Sequence, residues 1–248
     1  DIEGGVNDID CERTDRLGSA KSVSDALTWL QHEDHGYKTC VVDTVDWLEQ
    51  LIHRQIVADE GNAKVKSIAD IGYGKGYARA VPIRNWFLSQ FEQLRSQKKM
   101  AIILLSHAKV ERYESPESES YDRYSPDLHK SSSSMVQEWC DEVLFASTRV
   151  YTKKQDEGFN RSRNVAIGGK ERYIRTSESA STIAKNRLNL PAELPLDWDA
   201  YFGAVKAYYA NARPSTVTGV DIAGIVQDGS SKGNKEYEDL KIEAAEVF

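Results

Sequence analysis

The stretch Lys38-Thr39-Cys40-Val41-Val42-Asp43-Thr44-Val45-Asp46-Trp47-Leu48 constrains the fold of this chain more than any other. A short apolar run ends in a carboxylate and passes at once into a helical pattern. Buried parallel strands look like this when they carry an acid to the carboxyl edge of a sheet, where open α/β sheets bind ligands. A plainer reading of the same residues is a core strand followed by an Asp N-cap, Asp43 or Asp46.

The rest of the chain supplies partners for such a strand. Met100-Ala101-Ile102-Ile103-Leu104-Leu105-Ser106-His107 is the clearest buried strand, and it too ends in polar residues. Asp1 to Gly5 reads as the tail of another. Between them, Ser22 and Asp25 make a capping box for a helix through Leu27, Trp29 and Leu30. Trp47, Leu48, Leu51, Ile52 and Ile56 repeat at helical spacing over about 46–58, and Ile83, Trp86, Phe87, Phe91 and Leu94 do so over about 79–97. Gly72 to Tyr77 reads as a turn that needs glycine geometry.

Beyond His107, residues 109–134 have little apolar periodicity and read as a long loop, followed by a short helix at 136–140. Val143 opens a strand that continues to about Lys153. Asn164–Ile167 and Arg172–Thr176 predict two strands of a hairpin around Gly168-Gly169, Thr182–Ala184 a brief strand, and Trp198–Asn211 a last helix. After Pro214 the composition turns to Gly, Ser, Asp and Lys, with an acidic helix at 235–246. The expected organisation is a core over 1–211 and a linker with an acidic tail over 212–248.

Composition narrows the function. A net charge of −7 argues against a protein coated in nucleic acid, although the segment 149–175 is locally basic, with eight Lys or Arg against three Asp or Glu. Three cysteines without CxxC spacing suit a reducing cytoplasm. No apolar run approaches the roughly 20 residues of a membrane span.

In nucleoside triphosphatases an Asp at the end of such a strand holds magnesium, usually through water, and the segment is called a Walker B strand. Several further stretches recur here in one order: Asp1-Ile2-Glu3, Tyr73-Gly74-Lys75-Gly76-Tyr77, Ile102 to Arg112, Glu119 to Tyr124, Leu128-His129-Lys130, Gln137-Glu138-Trp139, Ala184-Lys185-Asn186-Arg187 and Leu190 to Pro195. Together they resemble the RecA-like P-loop ATPases of phages, the AAA-family recombination proteins grouped with single-strand annealing proteins. The resemblance covers about residues 1–200. It implies an α/β fold with a RecA-like P-loop NTPase core, a mostly parallel sheet flanked by helices, and an antiparallel β extension.

It also implies roles. Asp43 resembles the magnesium-shell acid, and Glu3 the glutamate that activates water. Ser106 and His107 resemble the polar pair that senses the γ-phosphate. Lys185 and Arg187 resemble the basic pair that reaches a neighbouring subunit's nucleotide. ATP and Mg2+ are the implied cofactors, and a homo-oligomer with nucleotide at its interfaces the implied assembly. Single-stranded DNA is the implied partner, with Lys109, Arg112, Arg123 and Lys130 toward phosphates and Tyr113, Tyr121 and Tyr124 toward bases. The implied location is the cytoplasm, that of a host cell if phage-encoded.

One departure is plain: the loop G-x-x-x-x-G-K-[ST] is nowhere in the sequence. The resemblance sets that loop just before the Asp1-Ile2-Glu3 strand. The chain is therefore expected to begin after it, and as given to hydrolyse ATP poorly or not at all. Two rival readings stay open: a module that coats or anneals single strands without turnover, and a metal-dependent nuclease built on Asp43.

Overall fold

The computed structural model describes residues 1–158 and 161–211. The expected linker and acidic tail lie outside them. The described chain forms two compact units, one from 1–109 and 125–139, the other from 110–124 and 140 onward.

The first unit opens with α1 (Ala20–His32). Its capping box is Ser19 with Ser22, not Ser22 with Asp25: the Ser22 N–H donates to Ser19 Oγ at 3.0 Å and the Ser19 N–H to Ser22 Oγ at 3.1 Å. Asp25 is paired instead with Lys21, one turn back. Strand β1 (Thr39–Val42) follows, then α2 (Val45–Asp59). The cap of α2 is Thr44 rather than either aspartate.

After a single 3-10 turn at Ile68–Asp70 comes α3 (Lys75–Gln97), longer at its start than the apolar spacing predicts. Its entry uses glycine twice. Gly74 takes φ 71°, and a Cβ on Gly76 would stand 2.5 Å from the Ile68 carbonyl oxygen. Strand β2 (Ala101–Leu104) then pairs parallel with β1, from Thr39 opposite Ala101 to Val42 opposite Leu104.

A parallel pair needs a crossover, and α2 and α3 supply it. Their apolar stripes close over Val42 and Met100 with Leu48, Ile52, Ile56, Phe87, Phe91 and Leu94, all buried. Each large side chain buried this way contributes about 1.5–3 kcal/mol, which makes this cluster the main source of the unit's stability. The segment Asp1–Gly5 is not a strand: the Asp1 carboxylate accepts from the Gly4 N–H at 2.7 Å and turns the chain. It still reaches β1, because the Ile2 and Glu3 N–H groups both donate to the Asp43 carbonyl, at 2.8 and 3.1 Å.

The region 109–134, read as a loop, is ordered. It contains β3 (Ala108–Tyr113), β4 (Tyr121–Pro126) and the start of α4 (Lys130–Trp139). Apolar periodicity misses β3 and β4 because their side chains pair through other chemistry. Tyr113 lies against Tyr121, Arg123 sits over the Tyr113 ring at 4.0 Å, and Arg112 pairs with Asp122 at 3.4 Å.

The serines of α4 are helical for a related reason. Arg84 of α3 and Glu49 of α2 form a buried ion pair at 2.9 Å. Ser132 hydroxyl bonds to both, Ser131 Oγ accepts from Arg84 at 3.1 Å, and the His129 N–H donates to Glu49 at 2.7 Å. Tyr77 stacks on the His129 ring, with centroids 4.2 Å apart. His53, beside Glu49, has its pKa lowered, chiefly by burial.

The second unit is mostly antiparallel. A short strand β5 (Glu142–Val143) precedes the long ribbon of β6 (Phe145–Gly158) and β7 (Arg161–Arg175). The expected pair of strands around Gly168-Gly169 is in fact one continuous strand. At Gly168 the register shifts instead, with φ 104° and a Cβ position only 3.1 Å from the Arg149 carbonyl.

The predicted strand at Thr182–Ala184 is reduced to isolated bridges at Thr182, and β8 (Lys185–Asn186) pairs with β5. β9 (Glu193–Pro195) extends the ribbon beside β7, and α5 (Trp198–Asn211) falls where the spacing puts it. A mostly parallel sheet is therefore not what the described residues form: β1–β2 is parallel, while β5–β8 and β6–β7–β9 are antiparallel.

A buried ion pair contributes little net stability, yet breaking it strands a charge in the interior. Arg84→Met is expected to destabilise the first unit by about 3–5 kcal/mol. Urea unfolding followed by tryptophan fluorescence checks this, and a loss below about 1 kcal/mol would show that water reaches Glu49.

Candidate functional site

Because β1 and β2 run parallel and in register, their carboxyl ends finish side by side. Beyond them the Leu105 N–H donates to the Val42 carbonyl at 3.0 Å, and the Val45 N–H to the Leu105 carbonyl at 2.9 Å. These bonds fix two segments, Asp43-Thr44 and Leu105-Ser106-His107, along one edge. The Asp1–Gly5 segment, hung on the Asp43 carbonyl, supplies a third wall. The result is a cleft lined by Glu3, Gly5, Asp43, Thr44, Leu105, Ser106 and His107. Gly5 keeps it open, since a Cβ there would stand 3.3 Å from an Asp43 carboxylate oxygen.

Four residues singled out by sequence, Glu3, Asp43, Ser106 and His107, thus face one cleft, and the walls come from the first unit alone. His107 Nε2 is 3.5 Å from Glu3 Oε1. Ser106 Oγ donates to the His107 carbonyl at 3.0 Å. The residue that organises them went unrecognised in the sequence. Asp46, only 3 % exposed, accepts the His107 N–H at 3.1 Å through one oxygen and stands 2.9 Å from His107 Nδ1 through the other.

A carboxylate is an acceptor, so Nδ1 carries the proton and Nε2 is the nitrogen turned to the cleft. The same contact raises the pKa of His107: the Asp46 hydrogen bond and charge come first, with smaller contributions from Glu3 and Asp127. The one signal in the sequence was spacing, because a second acid follows Asp43 by three residues, inside the first turn of α2.

The other candidates lie elsewhere. Lys185, on β8, donates to the Cys140 carbonyl at 2.5 Å, and Arg187 pairs with Asp141 at 2.7 Å; all four residues belong to the second unit. Lys109 is bonded to the Leu128 carbonyl at 2.6 Å and lies 3.6 Å from Asp127. Arg112 is paired with Asp122, and Arg123 with Glu178 at 3.6 Å as well as with the Tyr113 ring. Lys130 is exposed at the start of α4.

Donor chemistry decides what the cleft can hold. Among the described residues no cluster of three or more His, Cys, Asp or Glu surrounds a metal position. One hard carboxylate, Asp43, suits Mg2+, which keeps most of its waters and takes one or two protein oxygens. The Nε2 of a protonated His107 ring and the serine hydroxyl suit a phosphate edge. Neither a lysine nor a glycine-rich phosphate loop is among the lining residues.

A family model for the AAA domain matches residues 1–188. The chain belongs to the AAA domain family. Its kin are nucleotide-binding ATPases of the α/β P-loop class, and nucleotide with Mg2+ is what such domains use. Comparison with curated proteins and with solved structures finds no match. No helix among the described residues of this AAA domain is long and apolar enough to cross a membrane.

In this AAA domain His107 is expected to titrate above its ordinary value of 6.5. A raised histidine pKa stabilises the fold fully below the unfolded value, and that contribution disappears as pH rises through the folded one. The stability gap between wild type and His107→Gln should therefore be widest below pH 6.5 and close on the alkaline side. Denaturant midpoints across pH, with the NMR titration of the ring, check it; a gap that widens with pH would reverse the assignment.

Proposed function

We propose that this AAA domain is the ATPase core of a RecA-like phage recombination protein, in which ATP binding and hydrolysis are coupled to grip on single-stranded DNA. The observation that carries the reading is the convergence of Glu3, Asp43, Ser106 and His107 on one cleft at the carboxyl ends of a parallel strand pair. Open α/β sheets bind ligands at that edge.

Each side chain has work suited to its chemistry. The Asp43 carboxylate would hold hydrated Mg2+, which when bound neutralises phosphate charge. Glu3 orients a water and takes its proton, a task for a carboxylate within one water of the phosphate. With its ring protonated at both nitrogens, His107 donates through Nε2 to the terminal phosphate, as does the Ser106 hydroxyl once it turns from the His107 carbonyl, and these contacts change when that phosphate leaves.

In a homo-oligomer with nucleotide between subunits, Lys185 and Arg187 act on the neighbour's ATP. The Arg187–Asp141 pair is solvent-exposed on both sides (57 % and 63 %), so exchanging Asp141 for a phosphate costs little. Of the basic residues proposed to meet DNA, Lys130 is exposed, while Lys109, Arg112 and Arg123 would have to trade an acidic partner for a phosphate.

DNA-stimulated ATP hydrolysis by the full gene product tests this. Glu3→Gln should lower kcat by about 10²–10⁴-fold with nucleotide binding retained. Asp43→Asn should weaken binding of Mg·ATP but not of metal-free ATP. A gene product without ATPase activity, or a Glu3→Gln variant at wild-type rate, defeats the proposal.

A further inference from the structure

The chain leaves the first unit after Lys109 and re-enters it at Ser125. The segments on either side of residues 110–124 both hang on α2. Asp46 takes the His107 N–H and faces the His107 ring on the outgoing side. Glu49, three residues later and on the same face of the helix, takes the His129 N–H on the returning side. The two segments are also tied to each other. The Asp127 N–H donates to the His107 carbonyl at 2.8 Å, and Lys109 Nζ to the Leu128 carbonyl at 2.6 Å.

Both carboxylates are buried, at 3 % and 7 % exposure, and neither is spent on capping α2, which Thr44 does. A carboxylate withdrawn from water is costly unless donors meet its oxygens. Here Asp46 gives both oxygens to His107, while Glu49 divides its own between Arg84 with Ser132 and the His129 amide.

We infer that Asp46 is a positioning residue for the cleft, and that with Glu49 it makes α2 the common anchor of the cleft and of the two segments that flank residues 110–124. Asp46 holds the His107 backbone and Nδ1, so Nε2 has one direction left, toward Glu3 and the cleft. An anion that binds Nε2 then loads a ring already fixed to α2, and the load falls on the outgoing segment first. The groups facing the ring are Asp46, Glu3 and Asp127, and its raised proton affinity agrees with that acidic company. The part played by the anion rests on the nucleotide reading above; the anchoring does not.

Amide exchange resolved by NMR on the whole chain tests the anchoring. Asp46→Asn keeps the side-chain shape and removes the charge. It should speed exchange at the His107 and Asp127 amides about tenfold and leave His129, held by Glu49, within about twofold. The His107 ring should at the same time lose its fixed Nδ1–H tautomer in 15N spectra. A loss of global stability would move all three amides together, and that result, or unchanged exchange at His107, overturns the inference. Mg·ATP separates it from the reading it builds on. Slower His107 exchange in wild type but not in Asp46→Asn supports both. No response in wild type, with the Asp46→Asn result intact, keeps the anchoring and removes the nucleotide.

Discussion

The parallel, in-register pairing of β1 with β2 is the interaction from which the candidate site follows. Parallel strands cannot be joined by a tight turn, so the chain between them must cross over the sheet, and here it does so as α2 and α3. The crossover buries the apolar core. It also leaves both strand ends at one level, where the next residues of each run out of ladder partners. Asp43 and Ser106-His107 meet there because the register puts Val42 opposite Leu104. One residue of slip would turn every side chain of one strand to its other face and separate them.

Helix α2 serves both ends of this arrangement. Its apolar stripe, with Leu48, Leu51, Ile52 and Ile56, fastens it to the core, while Asp46 and Glu49 turn to polar partners. Apolar burial supplies the stability. The buried carboxylates supply little net energy but make most alternatives costly, since a shift of α2 would leave a charge without donors. That is how a helix held mainly by Leu and Ile comes to fix a histidine ring in one orientation.

Membership of the AAA domain family and the contents of the cleft bear on the same class of ligand. The family speaks for nucleotide and Mg2+. The cleft speaks for one hard carboxylate, a second carboxylate near a histidine, and a hydroxyl, a set suited to the metal and terminal-phosphate end of such a ligand.

The elements that rest on apolar periodicity are legible in the amino-acid order. The strand ending at Asp43, the helix after it, the strand before His107 and the helix at 198–211 could be read because water-driven burial needs a repeating stripe. That order is blind wherever polar groups do the pairing. β3 and β4 are held by Tyr, Arg and Asp contacts, and the start of α4 by hydroxyls satisfied from α2 and α3, so neither leaves an apolar period. Tertiary structure alone decided that Asp1–Gly5 would be a turn hung on the Asp43 carbonyl, that Gly168 would mark a bulge rather than a hairpin, and that Asp46 would hold His107. The physical reason is that contacts such as Ile2 with Asp43, Gly168 with Arg149 and Asp46 with His107 join residues apart in the chain, and which residues meet depends on where folding brings them, a distance that no local pattern encodes.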